Sequence, residues 1–405
     1  MKSFAKKLNT PWVIVLCNFV IAALVHAILI AEFAVSLGLM VAVVIVMLAL
    51  DRYGIIHALF EAYTAQKKTA IISGIFLVIA IPISLTNNNY IGHIATMAVI
   101  YSIACLGLNF QMGSTDMTNF APAAFMGIGA YSVAICTTMF NTSPWVGMLL
   151  GMVVAGAFGF IIGLPTLKTK GYYLSLVTMA VQIAFTQLIY NLPAIGGANG
   201  ISGVPKYALF GLDLYKKYTI AGIKFAPQIP YLLLCIAFLI LATFVAMRVY
   251  HSRTGLSLNA IAQDEIAANC LGVHVPRQKL FAFVIGGVFC GLAGSLFVGL
   301  DSYAGPGSYN FSKSLMLICM VILGGMDNSI GIIVGAFLLT IISEKLRDFA
   351  DFQQLVYGLI LVIMLIVRPN GIIPKRVRNY CGVSCRRPMC AAKAADVVEE
   401  SSTGA

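Results

Sequence analysis

Charge is what this sequence has least of. Only 10% of its 405 residues are Asp, Glu, Lys or Arg, where an ordinary soluble domain carries about 25%. With 60% of residues hydrophobic and a mean hydropathy of +0.92, the chain cannot cover itself with water-facing groups. That excludes a soluble globular fold and leaves lipid to solvate much of the surface. Motifs of self-contained chemistry are missing too: there is no HExxH pair, no GxSxG turn and no Walker A phosphate loop. If ATP drives this protein, another chain binds it. The five histidines are scattered without partners at ligand spacing, and His93, lying in a span, reads as a packed or hydrogen-bonded residue. No disulfide framework is expected either. Cys17, Cys105, Cys136, Cys235, Cys290 and Cys319 lie in apolar runs as small hydrophobes, and Cys381, Cys385 and Cys390 have no zinc-site spacing.

What the chain does have is long uncharged runs. Between Lys68 and Lys168 the only charged residue is Asp116, and 171–205, 225–247, 280–300, 328–343 and 352–367 hold none. A span needs roughly 20 apolar residues. Bounding the runs by charge, Pro and Asn/Gly clusters gives segments near 12–31, 33–50, 69–86, 90–112, 118–139, 144–163, 171–190, 229–249, 281–300, 311–324, 329–343 and 355–367. The expected fold is an all-α polytopic membrane protein of about 10–12 transmembrane or re-entrant helices, the last three segments being short enough for half-helices. The first run is too long for a signal-peptide core and reads as a span. Three regions follow: N-terminal spans and a cytoplasmic link at 1–68, a core at 69–375, and a basic tail at 376–405 whose end looks disordered.

Lys and Arg mark the cytoplasmic side of a membrane protein. Threading the segments alternately collects Lys2, Lys6, Lys7, Arg52, Lys67, Lys68, Lys168, Lys170, Arg248, Arg253, Arg277, Lys279 and the tail on one face, with both termini cytoplasmic. The net charge of +11 is therefore mostly topology, and no nucleic-acid partner is needed. Two runs carry small residues at every fourth position: Gly147, Gly151, Ala155, Gly159 and Gly163, then Gly287, Gly291, Ser295 and Gly299. Such ridges let helix backbones approach closely in lipid.

Polar breaks interrupt the apolar pattern at 113–131 and 324–337, which points to an internal repeat around a central pathway. Asp116, with Ser114, Thr115, Thr118 and Asn119 beside it, reads equally as a pathway residue or a turn residue. The segment 251–279 reads as a helix from about Ser257 to Leu271, ended by Gly272. Leu258, Ile261 and Leu271 would share one face, with Gln263, Asp264 and Asn269 towards others. A helix lying on the membrane face suits docking of a partner protein; the alternative is an ordinary connecting loop.

Asp264-Glu265-Ile266-Ala267-Ala268, three residues and Gly272 resemble the EAA loop of ABC importer permeases, and more closely the branched-chain amino acid permeases of the LivM type. The similarity extends to GLNFQMG (107–113), AAFMGIGAY (123–131), LPTLKTKGYYLSLVTMA (164–180), GGANGISGVP (196–205), Lys279-Leu280 with the span from Ala282 to Leu296, VILGGMDNSIGIIVGA (321–336) and RPNGIIP (368–374). The resemblance implies an importer subunit of the bacterial inner membrane that is not itself an enzyme. It would work with a second related permease, two ATPase subunits that bind ATP and Mg, and a periplasmic binding protein. Asp264, Glu265, Ala267, Ala268 and Gly272 would couple it to the ATPase. Asn109, Thr115, Asp116 and Asn119 are candidate pathway residues. The loop 191–228 would dock the binding protein through Gly196, Gly197, Asn199 and Gly200, where glycine allows tight turns and Asn199 tolerates left-handed backbone. Where the family has Gly-Gln and Gly-His pairs, this chain has Asp116-Met117 and Ala121-Pro122; Asn119 replaces a serine, and Leu-Ser follows Gly255 where an arginine is common. Relatives carry urea, amides and other small solutes, so leucine, isoleucine and valine are the leading expectation. The competing class is an ion-gradient-driven secondary transporter, for which Asp116 would be the coupling acid. A membrane enzyme would need a reactive cluster that the sequence does not show.

Overall fold

A backbone in lipid must satisfy its own N–H and C=O groups, so long uncharged runs fold as helices. The computed structural model describes residues 89–166, 172–209, 212–213, 219–220, 223–224, 228–347, 350–367 and 371–372. The expected spans at 12–31, 33–50 and 69–86, the lysines at 168 and 170, and the basic tail with its cysteines lie outside the described residues.

Each of the nine apolar segments expected in the described part is a helix. They are α1 (Asn89–Thr115), α2 (Pro122–Thr138), α3 (Pro144–Thr166), α4 (Tyr172–Tyr190), α5 (Ile229–Tyr250), α8 (Val275–Asp301), α9 (Phe311–Gly324), α10 (Ser329–Lys345) and α11 (Ala350–Val367). Between α5 and α8 lie two short helices, α6 (Arg253–Gln263) and α7 (Glu265–Cys270). Six helical stretches are long and apolar enough to cross a membrane: Asn89–Thr115, Pro144–Pro165, Tyr173–Tyr190, Ile229–Tyr250, Val275–Asp301 and Pro306–Gly324. Strand among the described residues is confined to two-residue pieces, of which β1 (Ile201–Ser202) pairs antiparallel with β2 (Tyr303–Ala304).

The core is built on α8. Its 27 residues rise about 40 Å and pack against α3, α1 and α2. Along α1 and α8 most of the apolar window is buried, whereas α3, α4 and α5 bury less than half of theirs. Their outward side chains, including Val153, Ile161, Leu176, Leu188 and Phe244, are exposed hydrophobics suited to lipid or a partner helix.

The two small-residue ridges face one another. A Cβ on Gly291 would sit 2.6 Å from the Ala155 Cβ, and one on Gly287 would sit 2.7 Å from the Ala155 carbonyl oxygen. Ser295 Oγ donates to the Gly291 carbonyl at 2.9 Å and to the Gly129 carbonyl at 3.2 Å, which ties α2 into the same contact. Backbone proximity, not side-chain bulk, holds α8 between α2 and α3.

Gly294 is the tightest test, since any Cβ there would collide with the backbone at Met126. Gly294→Ala is expected to destabilise the protein by about 1–3 kcal/mol, read as a lower thermal midpoint in detergent. Gly358→Ala, which meets nothing within 4 Å, should not lower the midpoint, since alanine favours a helix interior over glycine. Equal midpoints for both variants would contradict this packing.

Candidate functional site

The region beyond α5 is a capped hairpin rather than one helix. Ser252 accepts from the Gly255 N–H at 3.4 Å and starts α6. The helix expected from Ser257 to Leu271 breaks at Asp264, whose backbone is extended (φ −156, ψ 112). Its Oδ1 accepts from the N–H groups of Ile266 at 2.8 Å and Ala267 at 3.0 Å, capping α7. A short acidic side chain competes with helix continuity for those amides, and here it wins. Gly272 closes α7 at φ +83, with Val273 N–H returning to the Ala268 carbonyl at 3.1 Å, a left-handed stop that favours glycine.

Glu265 and Lys279 form the ion pair of this hairpin. Lys279 Nζ donates to Glu265 Oε2 at 2.8 Å, and the lysine side chain is 8% exposed against 33% for the glutamate. The pair anchors α7 to the start of α8 while the glutamate keeps a face outward. Ile261, Ala268 and Val275 form a small apolar cluster beneath the hairpin. Leu271 does not join Leu258 and Ile261, which are buried; at 83% exposed it points away, as does Ile266 at 71%. The break at Asp264 rotates α7 relative to α6, and this corrects the single-face reading. Two large apolar side chains on a six-residue capped helix thus face outward.

A buried polar joint sits against the end of α5. Asn109 Nδ2 donates to Tyr250 Oη at 2.6 Å, and Asn109 Oδ1 accepts from the Asp327 N–H at 2.8 Å. Ser114 Oγ donates to Asp327 Oδ1 at 3.0 Å, and Tyr250 stacks on Phe110 with centroids 4.6 Å apart. The two polar breaks noted in the sequence therefore touch. Asp327, 4% exposed and left-handed at φ 66, is the buried acid of the joint. Asp116 is exposed, a left-handed turn residue at φ 53. Sequence reasoning missed Asp327, although its glycine-rich break between two apolar helices was the available signal. Thr115 and Asn119 are buried. Thr115 Oγ1 donates to the Gln111 carbonyl at 2.7 Å, and Asn119 Nδ2 donates to Gln111 Oε1 at 2.6 Å.

A second joint lies deeper. Helix α2 starts at Pro122 without a side-chain cap from Ala121. Its amides are met from elsewhere: Ala124 N–H donates to Gln182 Oε1 at 2.7 Å, and Ala123 N–H donates to Ser314 Oγ at 3.1 Å. Gln182 Nε2 in turn donates to the Tyr309 carbonyl at 2.8 Å. Gln182 was not singled out from sequence; a glutamine amid apolar residues of a span was the sign.

At the opposite end of α5, about 33 Å away at 1.5 Å per residue, lies the described part of the 191–228 loop. Gly196, Gly197, Gly200 and Gly203 all have positive φ. Gly200 packs on the Ala304–Gly305 backbone, where a side chain would not fit. Asn199 is not left-handed; it belongs to the 3-10 turn Gly197–Asn199, and the glycines around it take the positive φ. Its carbonyl accepts from Tyr303 Oη at 3.1 Å. Partial burial lowers the pKa of Lys206 in this loop below the ordinary lysine value. Among the described residues no cluster of His, Cys, Asp or Glu could hold a metal ion.

Spanning apolar helices, joined through polar contacts buried inside the bundle, define a polytopic integral membrane protein. The chain belongs to the family of branched-chain amino acid transport system permease components, whose model matches residues 90–367. The high-affinity branched-chain amino acid transport system permease protein LivM of Salmonella typhimurium is 33% identical over 327 residues, covering 78% of this chain and 76% of that protein. The probable permease protein LivH of Methanocaldococcus jannaschii is 24% identical over 293 residues, 68% of this chain and 90% of its own. LivH of Escherichia coli is 23% identical over 295 residues, with 69% and 92% covered. No solved structure shows a significant match.

Loss of the cap is expected to loosen α7 selectively. Asp264→Ala should reduce hydrogen-exchange protection of residues 265–270 by about 1 kcal/mol, with α8 unchanged. Unaltered protection of α7 would show that Asp264 does not hold it.

Proposed function

We propose that this chain is the membrane-embedded permease of an ATP-driven importer for a branched-chain or other small amino acid, and that the α6–α7 hairpin is its coupling element. The carrying observation is the form of α7: a short helix capped by Asp264, pinned through Glu265 and Lys279, closed by Gly272, and presenting Ile266 and Leu271 outward. A rigid helix with an unpartnered apolar face suits insertion into a groove of another protein. The hydrolytic chemistry belongs to that partner, a pair of ATPase subunits with ATP and Mg. Glu265 and Asp264 hold the helix in shape, Ala268 keeps its inner side thin enough to lie against α6 and α8, Ala267 leaves its outer face low for a partner, and Gly272 sets its end.

Escherichia coli has both a LivM and a LivH among the relatives, which supports pairing of this chain with a second, related permease. The exposed apolar faces of α3, α4 and α5 offer surface for it. The glycine-rich 191–209 stretch, at the other end of the bundle from the hairpin, fits docking of a periplasmic binding protein. In this reading the hairpin and both termini are cytoplasmic, and the membrane is the bacterial inner membrane. Asn109, Thr115 and Asn119 act at the helix joints that border the pathway, and Asp116 at its mouth. The ion-gradient alternative now turns on Asp327, the buried acid, in place of Asp116.

Co-purification tests the coupling assignment. Glu265→Lys and the double change Ile266→Glu with Leu271→Glu should each abolish recovery of the ATPase with the permease, while the chain still inserts in the membrane. Recovery at the wild-type level in both variants, with normal transport, would remove the coupling role.

A further inference from the structure

Lys313 is the only charged residue between Asp301 and Asp327. It lies in the first turn of α9, inside the apolar stretch Pro306–Gly324. An ionised side chain at that depth is costly to insert, and such residues mark a substrate or ion path unless a partner neutralises them. Among the described residues Lys313 makes no direct ion pair, although Asp301 lies near enough to feel its charge. Its Nζ donates to Tyr101 Oη at 2.8 Å and sits 4.8 Å from the centroid of the Tyr101 ring and 5.9 Å from that of Phe297. Aromatic faces stabilise a cation without accepting its remaining protons. Among the described residues no carboxylate lies within 4 Å of it. The nearby acids are engaged elsewhere, Asp301 with His93 at 3.8 Å and Glu344 with Arg347 at 3.3 Å.

That ammonium borders a cavity of about 200 Å³ between α1, α8, α9, α10 and α11. At roughly 30 Å³ per water the space equals about seven waters. It is too small for a peptide or nucleotide and is matched to a small solute. Met97 and Met316 supply deformable apolar wall beside Tyr101 and Phe297, and Glu344 stands on the same cavity. Glu344 Oε1 accepts from Tyr90 Oη at 3.1 Å and from Arg347, and its Oε2 makes no hydrogen bond to the described residues. The lining thus combines the Lys313 ammonium, the Glu344 carboxylate with Arg347 paired to one of its oxygens, and an apolar surface.

From this combination we propose that the Lys313 cavity binds the transported solute as a zwitterionic α-amino acid. Lys313 receives its carboxylate, Glu344 receives its ammonium, and the methionines and rings receive a branched aliphatic side chain. A lone lysine would accept any small anion; the carboxylate across the cavity restricts the class to molecules carrying both charges. The assignment rests on the importer reading for its physiological meaning and deepens it by naming a site within the permease.

Equilibrium binding of tritiated leucine to the purified full-length permease in its importer complex, without the binding protein, tests the site. Wild type should bind leucine. Leucine methyl ester, whose carboxylate is blocked, and 4-methylpentanoate, which lacks the ammonium, should each compete at least about tenfold more weakly, the effect of one hydrogen bond to a charged group. Lys313→Met and Glu344→Gln should each weaken leucine about tenfold or more, and Lys313→Arg should recover most of the loss. The analogue series needs no variant, so it decides the matter even if Lys313→Met fails to fold. Absence of leucine binding to wild type, or equal competition by both analogues, overturns the proposal. So does wild-type affinity in Lys313→Met. ATP-driven uptake by the wild-type complex, measured alongside, keeps the two claims apart. Uptake with a charge-blind cavity sinks only the site, and charge-dependent binding without ATP-driven uptake sinks only the importer reading.

Discussion

A helix that stops inside a membrane protein frees backbone amides and carbonyls that lipid cannot solvate. Meeting that demand organises this molecule. Among the described residues three such stops occur, between α1 and α2, ahead of α9, and between α9 and α10. At each, side chains distant in sequence take the place of water. Gln182 and Ser314 receive the first amides of α2. Gln182 also covers the Tyr309 carbonyl, and Asn109 receives the Asp327 amide. These contacts satisfy the backbone groups freed at the breaks and fix each break in place. The close approach of α8 to α2 and α3 through small residues brings these partners within reach.

The joints also connect the ends of the molecule. Tyr250, the last residue of α5, precedes the α6–α7 hairpin by three positions, and its hydroxyl holds Asn109. Asn109 holds the break between α9 and α10, and α9 begins beside Gln182 and carries Lys313. A displacement of the hairpin would therefore act on the helices that contain the breaks, through contacts between 2.6 and 3.1 Å long. On the proposed coupling role, this continuity would give an ATPase at one face a physical route to the pathway, with Asn109 in a mechanical part rather than a substrate contact.

Much of the fold was legible in the sequence because its rules are local. Uncharged runs bounded by charge, proline and glycine placed all nine apolar helices of the described region, and fourfold spacing of small residues located the α3–α8 contact. Legibility failed where distance decided the outcome. Whether Asp116 or Asp327 is buried depends on Ser114 meeting a residue 213 positions away, which no local pattern reveals. Lys313 drew no notice because one charge in a short span resembles a helix terminus. The break at Asp264 was readable in principle, since an aspartate followed by two amides it can cap is a start signal. Helical periodicity across 257–271 hid it, and with it the outward turn of Leu271. Similarity to both LivM and LivH proteins then added what geometry alone does not supply, the transport class.

The central claim is that transport is driven by ATP through a partner docked on the hairpin. Uptake of radiolabelled leucine into proteoliposomes holding the complete complex measures it most directly, with ATP inside or omitted and with ionophores present or absent. The account predicts accumulation that requires ATP and the ATPase subunits and survives collapse of the ion gradients. Uptake that persists without ATP and disappears with the gradient would contradict it.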